Sequence, residues 1–150
     1  MKLGVPFYRQ EHAHTCVPAC LRMVLDFFGT ALTEDELTNR CGTTLLGTGR
    51  VELAHAAIGL GLAAQLADHL GREDVQTQLS QGRPVIAWID PSLLYPGVFG
   101  CTHAVVIVGL ELDTVHYHDP ETGADVAAPW TQFHAAWDRR QRKGVILWKP

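Results

Sequence analysis

Cys16, His103 and Asp119 have the side-chain types of a thiol nucleophile, a general base and the group that orients it, and Gln10, six residues before Cys16, adds an amide donor. Cysteine attacks as a thiolate, a form favoured by a helix N-terminus and by a nearby imidazolium. The imidazole in turn needs a partner that fixes its tautomer and orientation, and that partner can come from far along the chain. An oxyanion formed on attack needs donors, for which the backbone N–H of Cys16 and the side-chain amide of Gln10 are the candidates.

The elements that must position these residues follow from the local pattern. Thr15 precedes Cys16-Val17-Pro18-Ala19-Cys20-Leu21, and apolar residues continue at helical spacing as far as Gly29. A capping residue, an early proline and a terminal glycine predict a helix with Cys16 in or just before its first turn, where unpaired N–H groups and the positive end of the dipole converge. Downstream, His103 to Leu110 and Val115 to Asp119 flank a polar turn around Glu111 to Thr114, which predicts an antiparallel hairpin. With the turn centred near residues 111 and 112, facing residues have numbers summing to about 222 or 223, which puts His103 opposite Asp119.

Around these two anchors the pattern predicts further helices at Thr33 to Gly42, opened by the capping box Thr33-Glu34-Asp35-Glu36, at Val51 to Ile58, at Glu73 to Gln81 and at Thr131 to Asp138. Strands are expected at Leu62 to Leu66, Pro84 to Asp90 and Val145 to Trp148. Helices followed mainly by antiparallel strands indicate an α+β arrangement. The length of 150 residues, with no linker, repeat or low-complexity stretch, suits one domain spanning residues 1–150.

Composition narrows the function. A net charge of −4 without a basic run disfavours nucleic-acid binding. No stretch approaches the ~20 apolar residues of a membrane span, and Met1 to Gln10 lacks the apolar core of a secretory signal, so a cytoplasmic chain without membrane insertion is expected. In a reducing compartment Cys16, Cys20, Cys41 and Cys101 are expected to be free thiols.

The remaining chemistry-bearing residues have plainer readings. Cys20, one turn after Cys16, falls on the apolar face with Leu21 and Val24, and Cys41 and Cys101 read as structural. A metal site built from His12, His14 and Cys16 with Cys20 or His118 lacks a paired-ligand signature, so no metal is expected. Trp88 and Trp148 read as core, and Trp130 and Trp137 as anchors of the last helix. Glu34, Asp35 and Glu36 are explained by helix capping, and the apolar segment from Pro91 to Gly100 reads either as a connector or as a wall or lid leading into His103.

Taken in order, Val5-Pro6 with Tyr8 and Gln10, Cys16-Val17-Pro18-Ala19-Cys20-Leu21, Thr102-His103-Ala104-Val105-Val106 and His118-Asp119-Pro120 resemble the bacteriocin-processing, double-glycine-leader peptidases and their stand-alone relatives. The resemblance spans nearly the whole chain. It implies a papain-like cysteine peptidase fold, with an N-terminal helical half packed on a C-terminal antiparallel sheet and the cleft between them. It also implies Cys16, His103 and Asp119 as the triad, Gln10 as the oxyanion donor, a peptide or protein substrate, and no cofactor. Such peptidases are often fused to a membrane transporter, and a separately encoded transporter or partner protein is the corresponding expectation here. Val17 stands where that family usually has glycine, which is expected to alter cleavage preference. Acyl transfer, deamidation and peptide binding without turnover remain open alternatives.

Overall fold

A computed structural model of the chain describes residues 1–150. Three helices come first, α1 at Cys16–Phe27, α2 at Glu34–Cys41 and α3 at Arg50–Gly59. They are followed by β1 (Ala63–Ala67), α4 (Arg72–Ser80), β2 (Val85–Ile89), a short 3-10 turn (Pro91–Leu93), β3 (His103–Glu111), β4 (Thr114–Asp119), β5 (Gly123–Pro129), α5 (Trp130–Asp138) and β6 (Gly144–Trp148). Eleven of these twelve elements lie within a residue or two of the spans expected from sequence or, like the 3-10 turn, within a segment already singled out. The exception is β5, whose run Gly-Ala-Asp-Val-Ala-Ala-Pro is a mostly exposed edge strand with little apolar alternation.

All six strands join one antiparallel sheet in the order β1-β6-β2-β3-β4-β5. Apolar side chains cover both of its faces. On one side Ile86, Trp88, Ala104, Val106, Val145 and Leu147 meet α1, α2 and α3. On the other, Val85, Ile89, Val105, Ile107 and Ile146 meet α4 and α5. The sheet is therefore sandwiched between helices rather than carrying them on one face, which explains why Val85 to Ile89 is buried at every position instead of alternating. No helix is long and apolar enough to cross a membrane.

The hairpin differs from its expected register. Its turn is Leu112-Asp113, with Leu112 at φ 52°, and Glu111 faces Thr114 while Val106 faces His118. A bulge between Ile107 and Gly109 separates the two registers. Gly109 is required there because Met1 O and the Lys2 backbone pack within 3.0–3.2 Å of where a Cβ would stand. His103 is consequently not opposite Asp119; the residue in line with Asp119 is Val105, two positions along. His103 and Asp119 still share a face, because the strand period is two, and they approach as diagonal neighbours.

Candidate active site

Cys16 is the first residue of α1, so its N–H and that of Val17 have no acceptor one turn earlier, and Pro18 has no N–H to satisfy. The expected Thr15 cap is absent from the helix itself: the Thr15 hydroxyl accepts from His12 N–H at 3.1 Å and donates to His12 O at 3.0 Å. Thr15 thus closes the turn that delivers the chain to Cys16, and the free amides at the helix tip stay unspent. Cys16 is partly exposed, whereas Cys20 is buried and donates its thiol to Ala104 O at 3.5 Å. Burial raises the Cys20 pKa well above the ordinary thiol value and pushes Cys41 up to about 11. Cys101 is exposed.

Opposite the helix tip, His103 Nε2 donates to Asp119 Oδ1 at 2.7 Å, and Cys16 lies close enough to the imidazole to act on its protonation. Nε2 being occupied, Nδ1 is the atom left for the sulfur. Burial by itself lowers the imidazole pKa, but the Asp119 carboxylate and then Cys16 outweigh it and lift His103 to about 10. For Asp119, burial acts upward and is outweighed by His103, so its carboxyl lies below the usual range.

Asp119 is fully buried and its oxygens are saturated. Besides His103, Oδ1 accepts Glu121 N–H at 2.9 Å and Thr122 N–H at 3.4 Å, and Oδ2 accepts the Tyr95 hydroxyl at 2.7 Å. Since the Tyr95 proton points at the carboxylate, its oxygen accepts from Tyr117 at 2.9 Å and from Thr122 Oγ1 at 3.3 Å. Burial raises both phenols, Tyr117 to about 12, so both keep the protons this chain requires. The segment from Pro91 to Gly100 is therefore neither a bare connector nor a wall of the cleft around Cys16: it brings Tyr95 to Asp119. Tyr95 and Tyr117 were not legible in sequence, although an Asp followed by Pro-Glu-Thr-Gly does signal a turn in which the carboxylate takes the N–H two residues on.

Gln10 is tied to the same region by its backbone, whose N–H donates to Pro120 O at 2.8 Å. Its Nε2 donates to His12 O at 2.8 Å and more weakly to Ala13 O at 3.4 Å, while Oε1 is buried without a partner. The next N–H, of Glu11, is held by Glu34, whose buried carboxylate accepts at 3.0 and 3.1 Å and is raised in pKa by that burial. Glu34 is thus more than a first-turn acid; only Thr33, accepting from Glu36 N–H at 3.2 Å, performs the expected capping. His118 has a positioning role, with Nε2 donating to Val5 O at 2.7 Å and Nδ1 accepting from Asp125 N–H at 3.1 Å.

A cleft of about 390 Å³ opens at Cys16, walled by His14, Leu45, Leu46 and Thr102. Leu45 and Leu46, at the tip of the turn between α2 and α3, are 85% and 100% exposed and form an apolar wall not anticipated from sequence. Val17 points away into the core at 3% exposure, so its side chain does not touch this cleft and the expected effect on cleavage preference loses its direct route.

A helix-tip cysteine beside an imidazole, on an antiparallel sheet with its cleft against the first helix, defines a papain-like peptidase fold. The chain belongs to the Peptidase_C39 like family, whose model matches residues 2–145. Among solved structures, a double glycine motif protease from an AMS/PCAT transporter, in complex with its leader peptide, superposes with a TM-score of 0.77 at 22% identity, covering 97% of this chain and 92% of its own. The peptidase domain of Streptococcus ComA, a bi-functional ABC transporter of a quorum-sensing pathway, gives 0.76 at 18% identity, with 95% and 97% covered. A protein described as a C39-like peptidase from Bacillus anthracis gives 0.79 at 18% identity, with 100% and 98% covered. A search of curated proteins finds no match.

Proposed function

We propose that the chain is a cysteine peptidase, residues 1–150 acting as one unit, in which Cys16 is the nucleophile, His103 the base, Asp119 its orienting partner and Gln10 an oxyanion donor. The observation that carries this reading is the imidazole of His103 held by Asp119 on Nε2, with Cys16, at the tip of α1, near enough to raise its pKa. His103 takes the thiol proton at Nδ1, and the sulfur attacks the carbonyl carbon of a peptide bond. The oxygen that gains charge meets the Cys16 N–H and Gln10 Nε2, whose long 3.4 Å contact with Ala13 O is the one it exchanges. Nδ1–H then protonates the leaving amine as the carbon–nitrogen bond breaks, giving a thioester. Water, deprotonated by His103, attacks that thioester, and the product acid leaves as the thiol is restored.

A peptide is the proposed substrate, supported by the family and by the leader peptide bound to the transporter protease. The transporter origin of two of these similar structures supports a transporter or partner protein as an associate. The test uses a Cys101→Ser background, which removes the exposed competing thiol. Peptide mixtures are incubated with the native chain, with Cys16→Ala and with protein alkylated at Cys16, and products are read by mass spectrometry. Cleavage that disappears in the last two is expected; cleavage that persists after either change overturns the assignment.

A further inference from the structure

Beyond Thr102 lies a second recess, of about 370 Å³, lined by Arg50, Arg139, Arg140 and Lys143 together with Trp88 and Thr102. Four of the 12 basic residues of a chain with net charge −4 thus converge on one concavity. Their counterions are too few. Asp68 pairs with Arg50 at 2.9 Å, and Asp90 is shared by Arg139 at 4.0 Å and Arg140 at 3.8 Å. Asp90 also spends its other oxygen on Ser92, accepting from N–H at 3.0 Å and from the hydroxyl at 2.7 Å. Lys143 makes no ion pair, and Arg140 Nε makes no hydrogen bond. Four cations against two carboxylates leave a surplus of two positive charges around a space with one apolar wall.

Thr102 lines both this recess and the Cys16 cleft, so the two spaces adjoin across a single residue. An extended peptide advances ~3.3–3.6 Å per residue, so a peptide held at Cys16 can run past Thr102 into the second space within a few residues. Guanidinium and ammonium groups around a small recess match a carboxylate, whereas an extended basic stripe, which nucleic acid needs, is absent.

We propose that this recess is a carboxylate-binding subsite that selects peptides with an acidic side chain, or a chain-terminal carboxylate, one to a few residues from the bond held at Cys16. The proposal rests on Cys16 being the nucleophile of a peptidase, and its test separates the two ideas.

Once a cleaved peptide is in hand, pairs are made that differ only by Glu or Gln at each position around the bond, together with pairs bearing a free or amidated C-terminus. At one position, on one side of the bond, Glu is expected to raise kcat/KM about five- to thirtyfold over Gln, an advantage that shrinks as added salt shortens the screening length from ~10 Å to ~3 Å. In the double variant Arg139→Glu with Lys143→Glu the ratio should fall below about twofold. Arg139 is 61% exposed, and the milder pair Arg139→Gln with Lys143→Gln gives the same readout if the reversal fails to fold. An advantage of the free over the amidated terminus alone assigns the subsite to the chain end rather than a side chain. Equal cleavage of every pair, or a preference unchanged in the double variant, overturns the subsite while leaving a Cys16-dependent peptidase intact. Binding of the fluorescent Glu and Gln peptides to Cys16→Ala is measured in parallel. A Glu preference there that depends on Arg139 and Lys143, with no cleavage by the native chain, upholds the subsite and sinks the peptidase reading. No charge preference in either assay sinks the subsite.

Discussion

Asp119 and Gln10 are tied together through the Gln10 N–H on Pro120 O, yet Asp119 has both oxygens engaged by four donors and Gln10 has a buried carbonyl oxygen with no partner. The end of β3 and β4 is built of short hydrogen bonds running from Tyr117 through Tyr95 and Asp119 to His103. The segment from Gln10 to Cys16 is instead held at its margins, by Pro120 O, by Glu34 and by the Thr15 turn. The difference teaches that the imidazole side is organised before any ligand arrives, whereas the thiol side keeps N–H groups at the helix tip without a protein acceptor.

Breaking the thiol side should have the largest effect. Cys16→Ala is expected to lower peptide cleavage roughly 10⁴-fold or more, read as kcat on a confirmed substrate, with the fold kept by circular dichroism. Asp119→Asn attacks the organised side: a carboxamide cannot accept from four donors at once, so cleavage should drop ~10²- to 10⁴-fold and stability by about 3 kcal/mol in urea titration. A variant that loses activity without losing stability would show that the network is less rigid than the contacts imply. Gln10→Ala is expected to cost ~10² to 10³ in kcat with little change in stability, sharpening the contrast, if Gln10 acts as the proposed oxyanion donor. Tyr95→Phe removes one hydrogen bond to a buried carboxylate and should cost about 1–2 kcal/mol of stability, with a smaller loss of rate than Asp119→Asn.

The pH dependence of stability tests the charged pair in the native protein. His103, raised to about 10, contributes stability that is complete below its unfolded value near ~6.5 and lost as pH rises through about 10. Asp119, depressed, contributes stability that is complete above its unfolded value near ~3.9 and lost as pH falls through its lower folded value. The stability gap between native protein and His103→Ala should therefore be greatest between about pH 4 and 6.5 and close toward pH 10. A gap that is flat from pH 5 to about 10 would show that the charged pair is not what holds this end of the sheet.

Much of the scaffold is readable from local signals because local physics sets it. The proline two residues after Cys16, the Thr33 cap and the αL glycine at 42 each determine a helix end by themselves. Edge strand β5 escapes such reading, since its pairing with β4 and not its own pattern makes it a strand. The hairpin shows both sides at once: its strands and the choice of His103 and Asp119 were legible, but the bulge before Gly109 depends on the N-terminal segment packing against that glycine.

By itself the sequence determined the candidate residues and the elements that bear them, because side-chain type, capping and periodicity are local properties. Only the tertiary structure decided what surrounds them. Tyr95 on Asp119, Glu34 on Glu11, and the four basic residues beside Thr102 come from segments distant in the chain, and their meeting depends on how the sheet packs between its two layers of helices.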